Sequence, residues 1–290
     1  MARFDAQAAL PGGQPGPWSE PLPIRYDTRD VLLYAVGIAC TDLRYTYEKH
    51  PQHAVFPTFA IRWGQAGLHV NTQQLPPSPG PLTIDAERAI EQLHPLPPAG
   101  QVTVRSRLVA VHPRGKGAAL VEAESIVSDE QGRDCLRLFN ASYRRGVAAI
   151  GDIEPFEGSG QTRFGRIDPP ARTPDLELRT RVHEQQAALY RLSGDYNPLH
   201  IDPDAARFGG FKAPILHGLC TLGLCAQQLL GALACGDAAR FKALRLRFAA
   251  PVFPGDELHI VGWHEAAGRV LFQARVGETV VVSNAAFEHG

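Results

Sequence analysis

The segment Tyr190-Arg-Leu-Ser-Gly-Asp195-Tyr-Asn-Pro-Leu-His200 places a carboxylate, a carboxamide and an imidazole close together in the chain. An aspartate and a histidine sharing one water form a general acid/base pair, each working near neutral pH if burial tunes it. In an extended strand Asp195 and His200 would stand about 16 Å apart, at about 3.3 Å per residue. Asn197-Pro198 is a turn signal, and folding the chain there directs both groups at one small volume. Ser193-Gly194 reads as a helix end with glycine in the left-handed exit. Singly, these residues have plainer roles: a capping Asp, a turn Asn, a surface His. Together, on a turn set by Gly and Pro, they favour chemistry.

A second piece is Pro214-Ile-Leu-His217-Gly218, followed by dense apolar helical periodicity to Leu230. Gly218 therefore falls at or near a helix N-terminus, where unpaired N–H groups favour developing negative charge and glycine admits a ligand carbonyl. A glycine that merely eases helix packing is the plainer alternative. Asp202 and His217 could join Asp195 and His200 around a metal, but the spacing matches no zinc or iron pattern. No Gly-x-Gly-x-x-Gly follows a strand and no Walker loop is present. The expectation is an enzyme with neither metal nor cofactor. Arg114-Gly-Lys116 and Arg144-Arg145 suit either phosphate binding or solvated turns, and Cys220 and Cys225 suit a buried helix face.

The elements that must position these groups are written twice. Pro95-Leu-Pro-Pro-Ala-Gly100 feeds an alternating strand through Val102 and Val104, and Ala250-Pro-Val-Phe-Pro-Gly255 feeds one through Leu258 and Ile260. The blocks close alike, with Asn140-Ala-Ser-Tyr143 and Asn284-Ala-Ala-Phe287. Upstream, each half holds a helix candidate with a Leu-Tyr pair: Asp30 to Cys40, with Asp30 as N-cap, and Glu184 to Leu192. Each half thus reads as a helix followed by antiparallel strands, an α+β layer architecture. The glycines and prolines of 151–174 mark a linker between units at 1–150 and 175–290.

With 290 residues, 44% hydrophobic and 20% charged, the chain has the profile of a folded globular protein. A net charge of −1 calls for neither nucleic acid nor an anionic membrane as partner. Five scattered cysteines with no Cys-x-x-Cys pair fit a reducing compartment. No secretory h-region is evident at the start, Val31 to Cys40 is too short to span a bilayer, and Glu288-His289-Gly290 is not a peroxisomal address. The expected location is cytoplasmic.

Tyr190 to His200 resembles the hydratase 2 signature of the MaoC-like dehydratase family. Arg29-Asp30-Val-Leu-Leu-Tyr34, Val55-Phe-Pro-Thr58, Pro95-Leu-Pro, Ile215-Leu-His-Gly-Leu-Cys220 and Arg247-Phe248-Ala-Ala-Pro251 extend the resemblance over nearly the whole chain. It implies a double hot-dog fold, each half a curved antiparallel sheet around a helix, the second half catalytic and the first holding the acyl chain. It further implies (R)-specific hydration of a trans-2-enoyl-CoA, a substrate held by Gly218, Phe248, Arg114 and Tyr190, and a homodimer. Asp195 and His200 would activate the water, Asn197 would orient the site, and the Gly218 N–H would bind the thioester oxygen. One departure stands out: Asp85-Ala86 occupies the place of a His-Gly pair common in relatives, at a position expected to contact CoA or the acyl group. The rival readings are a hot-dog thioesterase and a non-catalytic acyl-CoA-binding protein.

Overall fold

The computed structural model describes residues 10–64, 66, 78, 80–114, 117–146 and 165–290. The first half contains β1 (Leu22–Tyr26), α1 (Thr28–Gly37), α2 (Leu43–Thr46), β2 (Thr83–Gln92), β3 (Gly100–Arg114), β4 (Ala118–Ser128) and β5 (Asp134–Arg144). The second contains β6 (Leu176–Arg181), α3 (Gln186–Tyr190), α4 (Pro203–Phe208), α5 (Gly218–Ala234), β7 (Phe241–Phe248), β8 (Glu257–Ala266), β9 (Arg269–Val276) and β10 (Thr279–His289).

All ten strands form one antiparallel sheet in the order β1-β3-β4-β5-β2-β7-β10-β9-β8-β6. Read outward from the centre, the order repeats element for element, so the duplication seen in the sequence is a pseudo-two-fold about the β2–β7 seam. At that seam Glu87 faces Arg247, Ala89 faces Arg245 and Glu91 faces Ala243. The fold is the α+β double hot-dog.

Strand alternation explains the sheet's two faces. Along β3, Val102, Val104, Ser106 and Leu108 are buried while the residues between them are partly open, the period-2 pattern of a half-buried strand. The halves differ in what lies against the concave face. In the second half it is α5, apolar almost all round, with Leu222, Leu224, Cys225 and Leu229 fully buried; a helix hydrophobic on every side belongs in a core. The helix ends at Cys235 and Gly236, both at positive φ, with the Gly236 N–H donating back to Leu230 O. Between α2 and β2 of the first half, the described residues contain only short turns, chiefly Phe59–Trp63.

Several local expectations need correction. Each half opens with a strand before its helix; β1 and β6 are short and half-exposed outer strands, with too little alternation to stand out. The first helix begins at Thr28 and its N-cap is Asp27: the Asp30 N–H donates to Asp27 Oδ1 and the Asp27 N–H to Asp30 Oδ2, a reciprocal capping box. Asp30 is thus the third residue of the helix. The second helix candidate is a single α-turn, Gln186–Tyr190, running into a 3₁₀ turn at Arg191–Ser193. The tyrosines of the two Leu-Tyr pairs, Tyr34 and Tyr190, meet with ring centroids 6.1 Å apart.

Gly223 is where α5 crosses the end of α1. A Cβ there would collide with Ile38 Cγ2 and lie 2.9 Å from Ile38 Cβ. Gly223→Ala is expected to destabilise the protein by about 1–3 kcal/mol through overpacking, read as a lower urea midpoint. An unchanged midpoint would mean the helices slide apart freely.

Candidate active site

Gly194, at φ +115°, ends the 3₁₀ turn after α3 and sends the chain across the concave face. Asn197 then caps a second 3₁₀ turn, Pro198–His200, its Oδ1 accepting the Leu199 N–H at 3.1 Å. Its own N–H donates to Asp195 Oδ1 at 3.2 Å. Asn197 therefore ties the two ends of the motif together, and the turn at Asn197-Pro198 folds as its residues dictate.

His217, just before α5, completes the group: a carboxylate oxygen of Asp195 and a ring nitrogen of each of His200 and His217 all lie within 4.8 Å of one another. The two imidazoles stack at 3.7 Å and 25°. The His200 Nδ1–H donates to Ile215 O at 2.9 Å, leaving Nε2 as the basic nitrogen of a neutral ring. The His217 Nε2–H donates to the main-chain oxygen of Asp195 at 3.2 Å, so one histidine holds the backbone whose side chain the other works with. Burial pushes the His200 pKa below its ordinary value, against the pull of the Asp195 carboxylate. Burial, and next the neighbouring His200, push His217 down to about 3. Both rings are neutral at physiological pH.

Asp195, Asn197 and His200 line a cavity of about 680 Å³. Gly218 opens α5 on its wall, and as the first helical residue its N–H has no acceptor within the helix. Phe248 packs against it: a Cβ on Gly218 would sit 3.1 Å from that ring. Tyr190 lines the cavity and is buried, its ring 5.0 Å from His217.

Asp85 also reaches the cavity, where it pairs with Arg88 at 2.6 Å; the residue lies within β2. Arg114 is not among the lining residues. It is exposed at the end of β3, three strands along the same sheet end from Thr83, which does line the cavity; strand spacing makes that roughly 14 Å. Arg145 is a structural bracket, donating to Gly209 O at 2.8 Å and, more weakly, to Pro81 O and Leu82 O. Arg144 is largely buried, and Lys116 lies outside the described residues. Asp202 is turned away as the N-cap of α4. Cys220 and Cys225 are fully buried.

His217, expected only as a possible metal ligand, is not among the lining residues, whereas Arg62, Arg88 and Ser142, to which the sequence assigns no role, line the cavity together with Ser193, expected only at the helix end. A histidine next to a helix-opening glycine was the available signal for His217. The others are contributed by elements whose register is invisible in one sequence.

Residues 24–146 match the family model described as the MFE-2 hydratase 2 N-terminal domain, and 166–286 match that of the MaoC-like domain. The chain belongs to the MaoC-like dehydratase family, in its two-unit hydratase 2 form. It is 35% identical to the peroxisomal multifunctional enzyme type 2 of Mus musculus over 90% of this chain, but spans only 36% of that longer protein. It is 35% identical to an Arabidopsis thaliana protein named enoyl-CoA hydratase 2, peroxisomal, covering 87% of this chain and 86% of the other. The crystal structure of a MaoC-like dehydratase from Phytophthora capsici superimposes with a TM-score of 0.86 at 33% identity, covering 99% and 98% of the two chains.

Proposed function

We propose that the protein is a hydro-lyase that adds water to a trans-2-enoyl-CoA, giving the (3R)-3-hydroxyacyl-CoA. The convergence of Asp195 and His200 on one cavity, beside the free N–H of Gly218, is the observation that carries this reading. One water sits between the carboxylate and His200 Nε2. Its hydroxyl adds to C3 and its remaining proton is delivered to C2 on the same face, so both new bonds come from one water and no cofactor enters. The thioester oxygen, which gains charge as the C2–C3 electrons shift, takes a hydrogen bond from the Gly218 N–H. Asn197 and His217 are positioning residues, one holding the turn and the other the Asp195 backbone. Arg114 would serve the CoA moiety beyond the cavity mouth, and the working unit would be a homodimer.

The test is loss of the conjugated enoyl-thioester absorbance, with product chirality read by an (S)-specific 3-hydroxyacyl-CoA dehydrogenase. Absorbance loss giving product that this dehydrogenase does not oxidise supports the proposal. Product it oxidises overturns the stereochemistry, release of free thiol assigns a thioesterase, and tight binding without turnover assigns a carrier.

Two further results are expected. Neutral His200 is required, so kcat/KM rises with pH through the His200 pKa, and burial places that acid limb below the ordinary histidine value of about 6.5. A midpoint above that value would count against His200 as the base. Gly218→Ala narrows the approach to the N–H and displaces Phe248, lowering kcat by about tenfold; complete removal of such a donor costs roughly 10²–10³. Thermal stability should change little, since alanine is a better helix former. Equal loss of stability and activity would assign Gly218 to packing alone.

A further inference from the structure

The first half's share of the cavity wall is largely polar, with Arg62, Thr83, Asp85, Arg88 and Ser142 beside Trp63 and Ile84, although the fold does not require it to be. On the inner face of β2 and β5, successive register pairs run Ile90 with Leu138, Arg88 with Asn140, and Asp85 with Ser142. The first pair belongs to the main apolar core; the later ones approach the cavity. The equivalent strand of the second half, β7, carries Leu244, Leu246 and Phe248, and Leu246 lies directly across the seam from Arg88. An apolar residue therefore suits this place in the sheet.

Asp85 and Arg88 are three residues apart and on a regular strand would point to opposite faces. Ala86 is the extra residue of a bulge in the pairing with β5, which turns both side chains to the cavity. There Arg88 holds Asp85 through Nε and Nη2. Arg62 brings a second guanidinium, anchored by its Nη1 donating to Ser193 O at 2.8 Å. Around these groups, several buried polar atoms find no hydrogen-bond partner among the described residues: both amide atoms of Asn140, Ser142 Oγ, Ser193 Oγ, the Tyr190 hydroxyl and Arg62 Nε. Native interiors satisfy nearly all such atoms, so a group of them around a cavity marks its wall as built from polar groups in place of hydrocarbon.

We propose that this wall selects an acyl group bearing a hydroxyl or keto oxygen near the reacting carbons, in preference to a plain hydrocarbon chain. The inference rests on the hydratase reading and specifies its substrate class. A neutral oxygen suits the site better than a carboxylate: Asp85 already neutralises Arg88, and both Asp85 and Asp195 place negative charge beside His200. Asp85, Arg88 and Arg62 are thus specificity-determining residues that act on the acyl chain.

The test compares hydration of three trans-2-enoyl-CoA substrates of equal chain length: unsubstituted, bearing a hydroxyl or keto group, and bearing a terminal carboxylate. The oxygenated substrate is expected to exceed the unsubstituted one in kcat/KM by about tenfold or more, since a site built to bond an oxygen rejects analogues lacking it. In the Asp85→Ala/Arg88→Leu double variant that ratio should fall by at least about tenfold. The ratio is the readout because chemistry at the double bond is common to all three. Should the double variant not fold, Arg88→Gln gives the same comparison and the same expected direction. A wild-type preference for the unsubstituted or the carboxylate chain overturns the inference alone, as does a ratio unmoved by the variants. Failure of the folded protein to hydrate any of the three overturns the hydratase reading, and the inference with it.

Discussion

Asp195→Asn is expected to lower kcat for enoyl-thioester hydration by about 10²–10⁴-fold, the range that a positioned acid/base group contributes. The substitution keeps the shape of the side chain and an oxygen able to accept the Asn197 N–H, now at 3.2 Å from Asp195 Oδ1. The turn carrying His200 should survive, and with it the Leu199 and Ile215 hydrogen bonds that aim the ring. What is lost is the carboxylate proposed to share the water with His200. KM should move little, because the thioester contacts proposed for Gly218 and Phe248 are left unchanged. The measurement is enoyl absorbance decay under saturating substrate, with a thermal melt to show the variant is folded. A folded variant retaining more than about a tenth of wild-type kcat would remove Asp195 from the chemistry.

Acid should unfold the protein through His217. Its pKa is about 3 in the folded protein and ordinary, about 6.5, in the unfolded chain. The unfolded state therefore binds the extra proton between those values, and stability falls as pH drops through that window. This contribution is fully present above about pH 6.5 and lost by about pH 3, and the difference corresponds to roughly 4–5 kcal/mol at 1.36 kcal/mol per pH unit. Against a typical total of about 5–15 kcal/mol, that loss is large. His200 acts in the same direction, since burial also depresses its pKa. His217→Gln, which keeps a donor for the Asp195 carbonyl, should be less stable near neutral pH through lost stacking yet show a much flatter dependence between pH 6.5 and pH 3. Urea midpoints measured across that range decide it, and parallel curves for the two proteins would show that other groups control acid unfolding.

The active-site motif was legible because its geometry is local. Gly194, Asn197 and Pro198 determine the backbone between Asp195 and His200, and residue type alone indicates a turn there. The start of α5 at Gly218 was equally readable from the apolar periodicity that follows it. Long-range features were not. Only the bulge at Ala86 puts Asp85 and Arg88 on one face, and a bulge depends on register with β5, which a single sequence does not encode in any local pattern. The outer strands β1 and β6 escaped notice for a related reason: an edge strand buries little of either face, so its alternation is faint. The stacking of His217 on His200 is likewise invisible in the sequence, because seventeen positions separate the two residues in the chain. The duplicated blocks nevertheless predicted the pseudo-two-fold, since their repeated order is what the sheet repeats about its centre.

The β2–β7 seam has a consequence for how such a site can evolve. If two identical chains met along that line, each substitution would be imposed on both sides of the axis, and a change useful on one side would burden the other. Here the two sides are encoded separately: Arg88 and Leu246 face each other across the seam and are free to differ. A substitution at Arg88 leaves Leu246 and the turn that carries Asp195 and His200 unaltered, while a single continuous ladder of backbone hydrogen bonds keeps the two halves in register.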